Sequence, residues 1–129
     1  ILDEISIIQT GSHAVSNATL DTPWPKVTLT KAAMAELASS SELDEEAIFR
    51  IMADSTPPSD DQLPDLPLPL PILRAVSANF IQTERYGTRS TTLILIDHCD
   101  QVTFVERSYL PDGTSSEVRF NFQLMAEEK

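Results

Sequence analysis

The spacing of apolar positions changes several times along this chain, and each change predicts a different kind of element. Near the start, residues 4–8 (EISII) and 13–17 (HAVSN) read as two short strands around a turn at 9–12. Over residues 26–40, Val27, Thr30, Met34 and Leu37 recur at spacings of three and four, with alanine filler, which predicts a helix. Ser41-Glu42-Leu43-Asp44 carries the signal of a helix start. The second helix that follows presents Leu43, Ala47, Ile48, Ile51 and Met52 as one apolar stripe, with methionine as core filler. After a short helix at 71–76, the last third turns to strands: 77–83 (SANFIQT), 89–97 (RSTTLILID), 101–109 (QVTFVERSY) and 116–124 (SEVRFNFQL). The run Leu93-Ile94-Leu95-Ile96 lacks alternation, which predicts cover on both faces. The final strand alternates, so Val118, Phe120, Phe122 and Leu124 are expected to face inward.

Punctuation between the elements agrees with this division. Asp21-Thr22-Pro23-Trp24-Pro25 is a stiff corner, because each proline fixes its own φ and drives the residue before it towards extended geometry. Pro25 also suits the first turn of a helix. Residues 54–71 hold six of the nine prolines and read as a Pro-rich surface loop. Tyr86-Gly87, residues 97–100 and Leu110-Pro-Asp-Gly-Thr114 mark turns between the last strands, and the tail 127–129 is expected to fray. Helices segregated from an antiparallel meander define an α+β class, with two helices layered on one face of the sheet. One helical pair covers one face only. The apolar strand at 93–96 therefore points to a second layer that another segment or another chain supplies.

Composition narrows the function classes. A length of 129 residues suits one domain. The formal charge of −11 opposes nucleic acid and anionic membrane as partners, since both reward lysine and arginine clusters. No apolar run is long enough to make a transmembrane segment. No basic-plus-apolar leader is visible, and the first residue is Ile1 rather than Met, so residues upstream are expected. The single cysteine forms no internal disulfide and fits a reducing, cytoplasmic setting.

Few residues offer chemistry. His98 and Cys99 are adjacent in a turn, with no further ligand at metal spacing, which argues for an exposed turn rather than a metal or thiol site. Three glycines do not make a phosphate loop, and no cofactor is called for. Asn17-Ala18-Thr19 is a formal glycosylation pattern, read here as incidental. Asn17 can form a turn hydrogen bond, or present its amide as an oxyanion donor. Arg89 heads the most apolar strand. It can pair with Glu84 or Glu106, or it can hold a guanidinium at the sheet edge to orient a nucleophile or bind a carboxylate.

Two segments, VSNATLDTPWPKV at 15–27 and YGTRSTTLILID with VTFVERSY at 86–109, together resemble the NRDE family, which includes the transport and Golgi organisation proteins. The resemblance spans roughly residues 10–124. It implies part of an αββα sandwich like that of N-terminal nucleophile (Ntn) hydrolases. Members typically begin Met-Cys, the processed cysteine being the nucleophile, followed by an Asn-Arg-Asp-Glu motif. Neither stands in this sequence, so the match implies the C-terminal portion alone. By analogy to related amidases, Asn17 looks like an oxyanion-hole contributor and Arg89 like the arginine beside the nucleophile and its amine, with Thr88 and Ser90 as supporting binding residues. The resemblance also implies a non-enzymatic alternative: a trafficking or binding protein for haem or acyl-CoA-type cargo, with Golgi or mitochondrial association. The expected partners are the N-terminal half or a self-associating second copy, with a small-molecule ligand.

Overall fold

The computed structural model describes residues 7–125. It divides into two compact units, Ile1–Phe80 and Ile81–Lys129. Helices and strands segregate along the chain, α1 (Pro25–Ala38), α2 (Glu45–Met52) and α3 (Leu70–Val76) preceding β1 (Ser90–Ile96), β2 (Gln101–Tyr109) and β3 (Ser115–Gln123). This is an α+β chain.

In the first unit, α1 starts where the corner allows it. Pro25 occupies the first helical turn, where its missing N–H leaves no bond unmade, and Trp24 is the extended residue before it. Asp44 caps α2 by accepting the Ala47 amide at 3.0 Å, and Glu45 and Glu46 place negative charge against the positive end of the helix dipole. Val27, Ile48, Phe49, Leu73, Ala78 and Phe80 are the buried apolar residues, and Phe49 is only 1% exposed. The Pro-rich stretch is irregular apart from one 3-10 turn at Asp60–Gln62, which Arg74 ties down through both Asp60 oxygens, and its last two residues, Leu70 and Pro71, which open α3. Val27, Ile48 and Ile51 fulfil the helical pattern as buried or half-buried positions, whereas Leu43 lies exposed ahead of α2. The hairpin expected at 4–17 is not formed where it can be seen. Residues 4–6 lie outside the described residues, and residues 7–17 are irregular. Here local side-chain bonding replaces strand pairing, as the site geometry below shows.

The second unit is a three-stranded antiparallel sheet in the order β1-β2-β3. Its register pairs Leu93 with Val105, Ile94 with Phe104 and Ile96 with Val102. Across β2 and β3, Val102 opposes Phe122, Phe104 opposes Phe120 and Glu106 opposes Val118. Residues opposite one another share a face. One face therefore carries Thr91, Leu93, Val105, Arg107 and Glu117, and the other carries Ile94, Ile96, Val102, Phe104, Val118, Phe120 and Phe122. The turn to β3 is the Pro-Asp-Gly type, with Gly113 at φ 84° and Asp112 accepting the Thr114 amide.

Three expectations are corrected here. The strand at 77–83 does not form. Ser77 continues the end of α3, and only an isolated bridge joins Gln82 to Gly87. The run at 93–96 is not covered on both faces: Leu93 is 7% exposed, but Ile94 and Ile96 are 56% and 59% exposed. The alternation of β3 is real, yet Val118, Phe120, Phe122 and Leu124 point to solvent rather than inward. Apolar periodicity specifies which residues share a face, not whether that face is covered. The expected fraying at 127–129 lies outside the described residues.

Candidate functional site

The loop carrying Asn17 is closed by one carboxylate. Asp21 donates its amide to the Ala14 carbonyl at 2.7 Å, and its Oδ1 accepts the Ala14 amide at 3.0 Å, so the two ends of an eight-residue loop are bonded both ways. The same Oδ1 accepts from Lys31 Nζ at 2.7 Å, and Oδ2 meets His13 Nδ1 at 2.6 Å. The other ring nitrogen, His13 Nε2, meets the Gln9 carbonyl at 2.8 Å. Asp21 takes a left-handed backbone, φ 58°, which short polar side chains tolerate better than others. The Lys31 ammonium, the Ala14 amide and the His13 ring, in that order, hold its carboxyl well below the usual carboxylate range. Asn17 sits at the exposed tip of this loop, its Oδ1 accepting from Ser16 at 3.1 Å.

Behind the loop, the Pro-Trp-Pro corner is backed by further polar bonds. Lys26 donates to the Val76 carbonyl at the end of α3, and partial burial pushes its ammonium pKa down. Asn79 donates to Thr30 on α1 at 2.9 Å and to the Ile51 carbonyl on α2 at 3.1 Å. Sequence reading passed over His13, Asp21, Lys26, Lys31 and Asn79. The signal present was an acid heading a proline corner, with lysines one and six positions beyond that corner's last proline.

Thr88, Arg89 and Ser90 lie in the second unit, where backbone bonds fix their position. Thr88 donates its amide to the Ile81 carbonyl and accepts the Ile81 amide on Oγ1, both at 2.9 Å. Gly87 fits beneath because a Cβ there would meet the Ile81 carbonyl oxygen at 2.8 Å. The Arg89 carbonyl accepts the Tyr109 amide at 2.8 Å, and Ser90 opens β1 opposite Ser108. The ion pair of Arg89 with Glu84 or Glu106 is absent among the described residues, and Glu106 accepts from Thr92 instead. The Arg89 side chain is thus an exposed guanidinium on a fixed backbone.

Cys99 is exposed in a turn organised by Asp97, whose Oδ1 accepts the Cys99 and Gln101 amides. Among the described residues no group of three His, Cys, Asp or Glu side chains is placed to hold a metal, and no helix is long and apolar enough to cross a membrane.

Comparison with known proteins places this chain in a family. A family model described as Transport and Golgi organisation 2 matches residues 2–111. The mouse Transport and Golgi organization 2 homolog is 34% identical over 117 residues, covering 84% of this chain and 42% of its own length. The human homolog is 31% identical over 117 residues, and the bovine homolog 33% over 112. The chain spans about two-fifths of the length of these curated relatives. By the extent of the family match and the identity to these relatives, the chain belongs to the Transport and Golgi organisation 2 family.

Proposed function

We propose that the chain supplies part of the binding cleft of a transport and Golgi organisation protein, and that Arg89 receives an anionic group, carboxylate or phosphate, of a cargo of the haem or acyl-CoA type. The observation that carries this reading is the exposed Arg89 guanidinium, without an ion pair among the described residues, on a backbone fixed by Thr88 and Tyr109. Arginine offers a planar fork of donors that suits carboxylate and phosphate. Thr88 and Ser90 flank it as supporting binding residues. The relatives' names speak of transport and Golgi organisation, which favours carriage over chemistry. The exposed apolar face of the sheet supports an αββα sandwich completed by chain outside these residues. Golgi or mitochondrial association from a cytoplasmic site is the localisation that goes with this reading.

The second reading is an Ntn-type amide hydrolase whose nucleophile comes from outside residues 1–129. Its support is the clasped loop: Asp21 closes the turn that presents Asn17, as an oxyanion donor requires. The two readings separate in a family-length protein carrying this sequence. Arg89→Ala should weaken haem or acyl-CoA binding, with partial retention in Arg89→Lys. Turnover of an acyl amide that falls in Asn17→Ala while cargo binding holds would instead favour the hydrolase.

A further inference from the structure

Strand β3 ends the sheet with one edge turned away from β2. Edges are usually blunted by charged side chains, above all lysine, or by proline, a bulge or a short strand. Over Ser115–Gln123 there is no lysine and no proline, the pairing with β2 runs unbroken for nine residues, and every residue is exposed. Its two charges, Glu117 and Arg119, are of opposite sign, so they leave the edge open to a strand that matches them.

Its register and charges select the partner. Leu110 donates its amide to the Thr114 carbonyl, and Leu124 to the Asp100 carbonyl, so bonded pairs stand just beyond both ends of the β2–β3 ladder. Bonded pairs alternate along an antiparallel ladder. Ser116, Val118, Phe120 and Phe122 therefore bond to β2, and Glu117, Arg119 and Asn121 turn their backbone groups outward. A second β3 strand running antiparallel about a two-fold at Val118 would set Glu117 opposite the second copy's Arg119, twice, as outward-bonding pairs. A two-fold one residue later sets Arg119 opposite itself, and one residue earlier sets Glu117 opposite itself, both repulsive. Within one copy Glu117 already pairs with Arg107 at 2.9 Å across β2 and β3, and lies 3.8 Å from Arg119 on its own strand. The Val118 register thus extends a row of alternating charge, Arg107, Glu117, then the second copy's Arg119. Contacts of this kind are isologous, as closed dimers require.

We propose that β3 is a homodimer edge, joining two copies of this chain into one six-stranded antiparallel sheet about a two-fold at Val118. The test uses the 129-residue chain. Light scattering should give twice the 14.3 kDa chain mass. Arg119→Glu and Glu117→Arg should each be monomeric, while an equimolar mixture of the two should recover the doubled mass. In a Cys99→Ser background, Val118→Cys should form an intermolecular disulfide, because unbonded antiparallel pairs bring Cα atoms to about 4.5 Å. Asn121→Cys, off the axis, should not. A monomeric chain overturns the proposal. So does a dimer or larger aggregate that ignores both charge variants and leaves Val118→Cys reduced.

Discussion

At the scale of single residues, Asp21 and Gly87 show how this family sequence secures its two polar segments. Asp21 gathers Lys31, His13 and both polar groups of Ala14 on one side chain and amide. Its carboxyl titrates below the usual range, so its contribution to stability is present above the unfolded-state value of about 3.9 and is lost as the pH falls below that. Asp21→Asn keeps the left-handed backbone accessible and removes the charge. The variant should show a lower urea midpoint than the parent at neutral pH, with the gap closing below about pH 4. A gap unchanged by acidification would show that the carboxylate charge is not what matters. Gly87→Ala tests the second segment. Its Cβ would collide with the Ile81 carbonyl oxygen, which is backbone and cannot swing aside, so a loss of about 1–3 kcal/mol is expected in denaturant unfolding. Neither feature was legible beforehand. A glycine before Thr-Arg reads as a turn, and the clasp of Asp21 joins residues from Gln9 to Lys31 through side chains that hydropathy does not weigh.

At the scale of elements, periodicity served where the segment is long and failed where it is short. The helices at 26–40 and after Asp44 are present as Pro25–Ala38 and Glu45–Met52, because spacing, capping and proline placement all agree. Strands of five to seven residues offered too few alternations to outweigh local bonds. The 13–17 segment spends its polar groups on the loop clasp, and 77–83 spends its on the end of α3 and the Thr88 bridge. In the second unit the strands themselves were readable, but their burial was not. Alternation assigns Phe120 and Phe122 to one face with Ile94 and Ile96, and cover for that face depends on chain elsewhere. The helical unit has its own center of gravity in Phe49, 1% exposed on α2. Phe49→Ala should cost about 3–5 kcal/mol in urea unfolding. A cost below about 1 kcal/mol would mean that this position is not a packed core site.

At the scale of the molecule, family membership and site chemistry stand on different footings. The family follows from a match over residues 2–111. Part of the candidate site was legible, since Arg89 stood out as a cation at the head of an apolar strand. What spacing left open was whether Glu84 or Glu106 would neutralise it, and no such pair forms among the described residues. Asn17 was legible from its residues only as a turn former or a candidate amide donor, and the family motif chose between them, because an exposed loop amide has no signature in hydropathy. A charge of −11 makes an exposed guanidinium on a fixed backbone a local exception on an acidic chain. That exception is the basis of the cargo proposal. The most direct test is a titration of haem and of a long-chain acyl-CoA into a family-length protein carrying this sequence, compared with its Arg89→Ala variant. Saturable binding of one of these ligands, weakened at least tenfold by Arg89→Ala in a variant that unfolds like the parent, is the expected result. No saturable binding of either ligand, or equal affinity in parent and variant, would contradict the account.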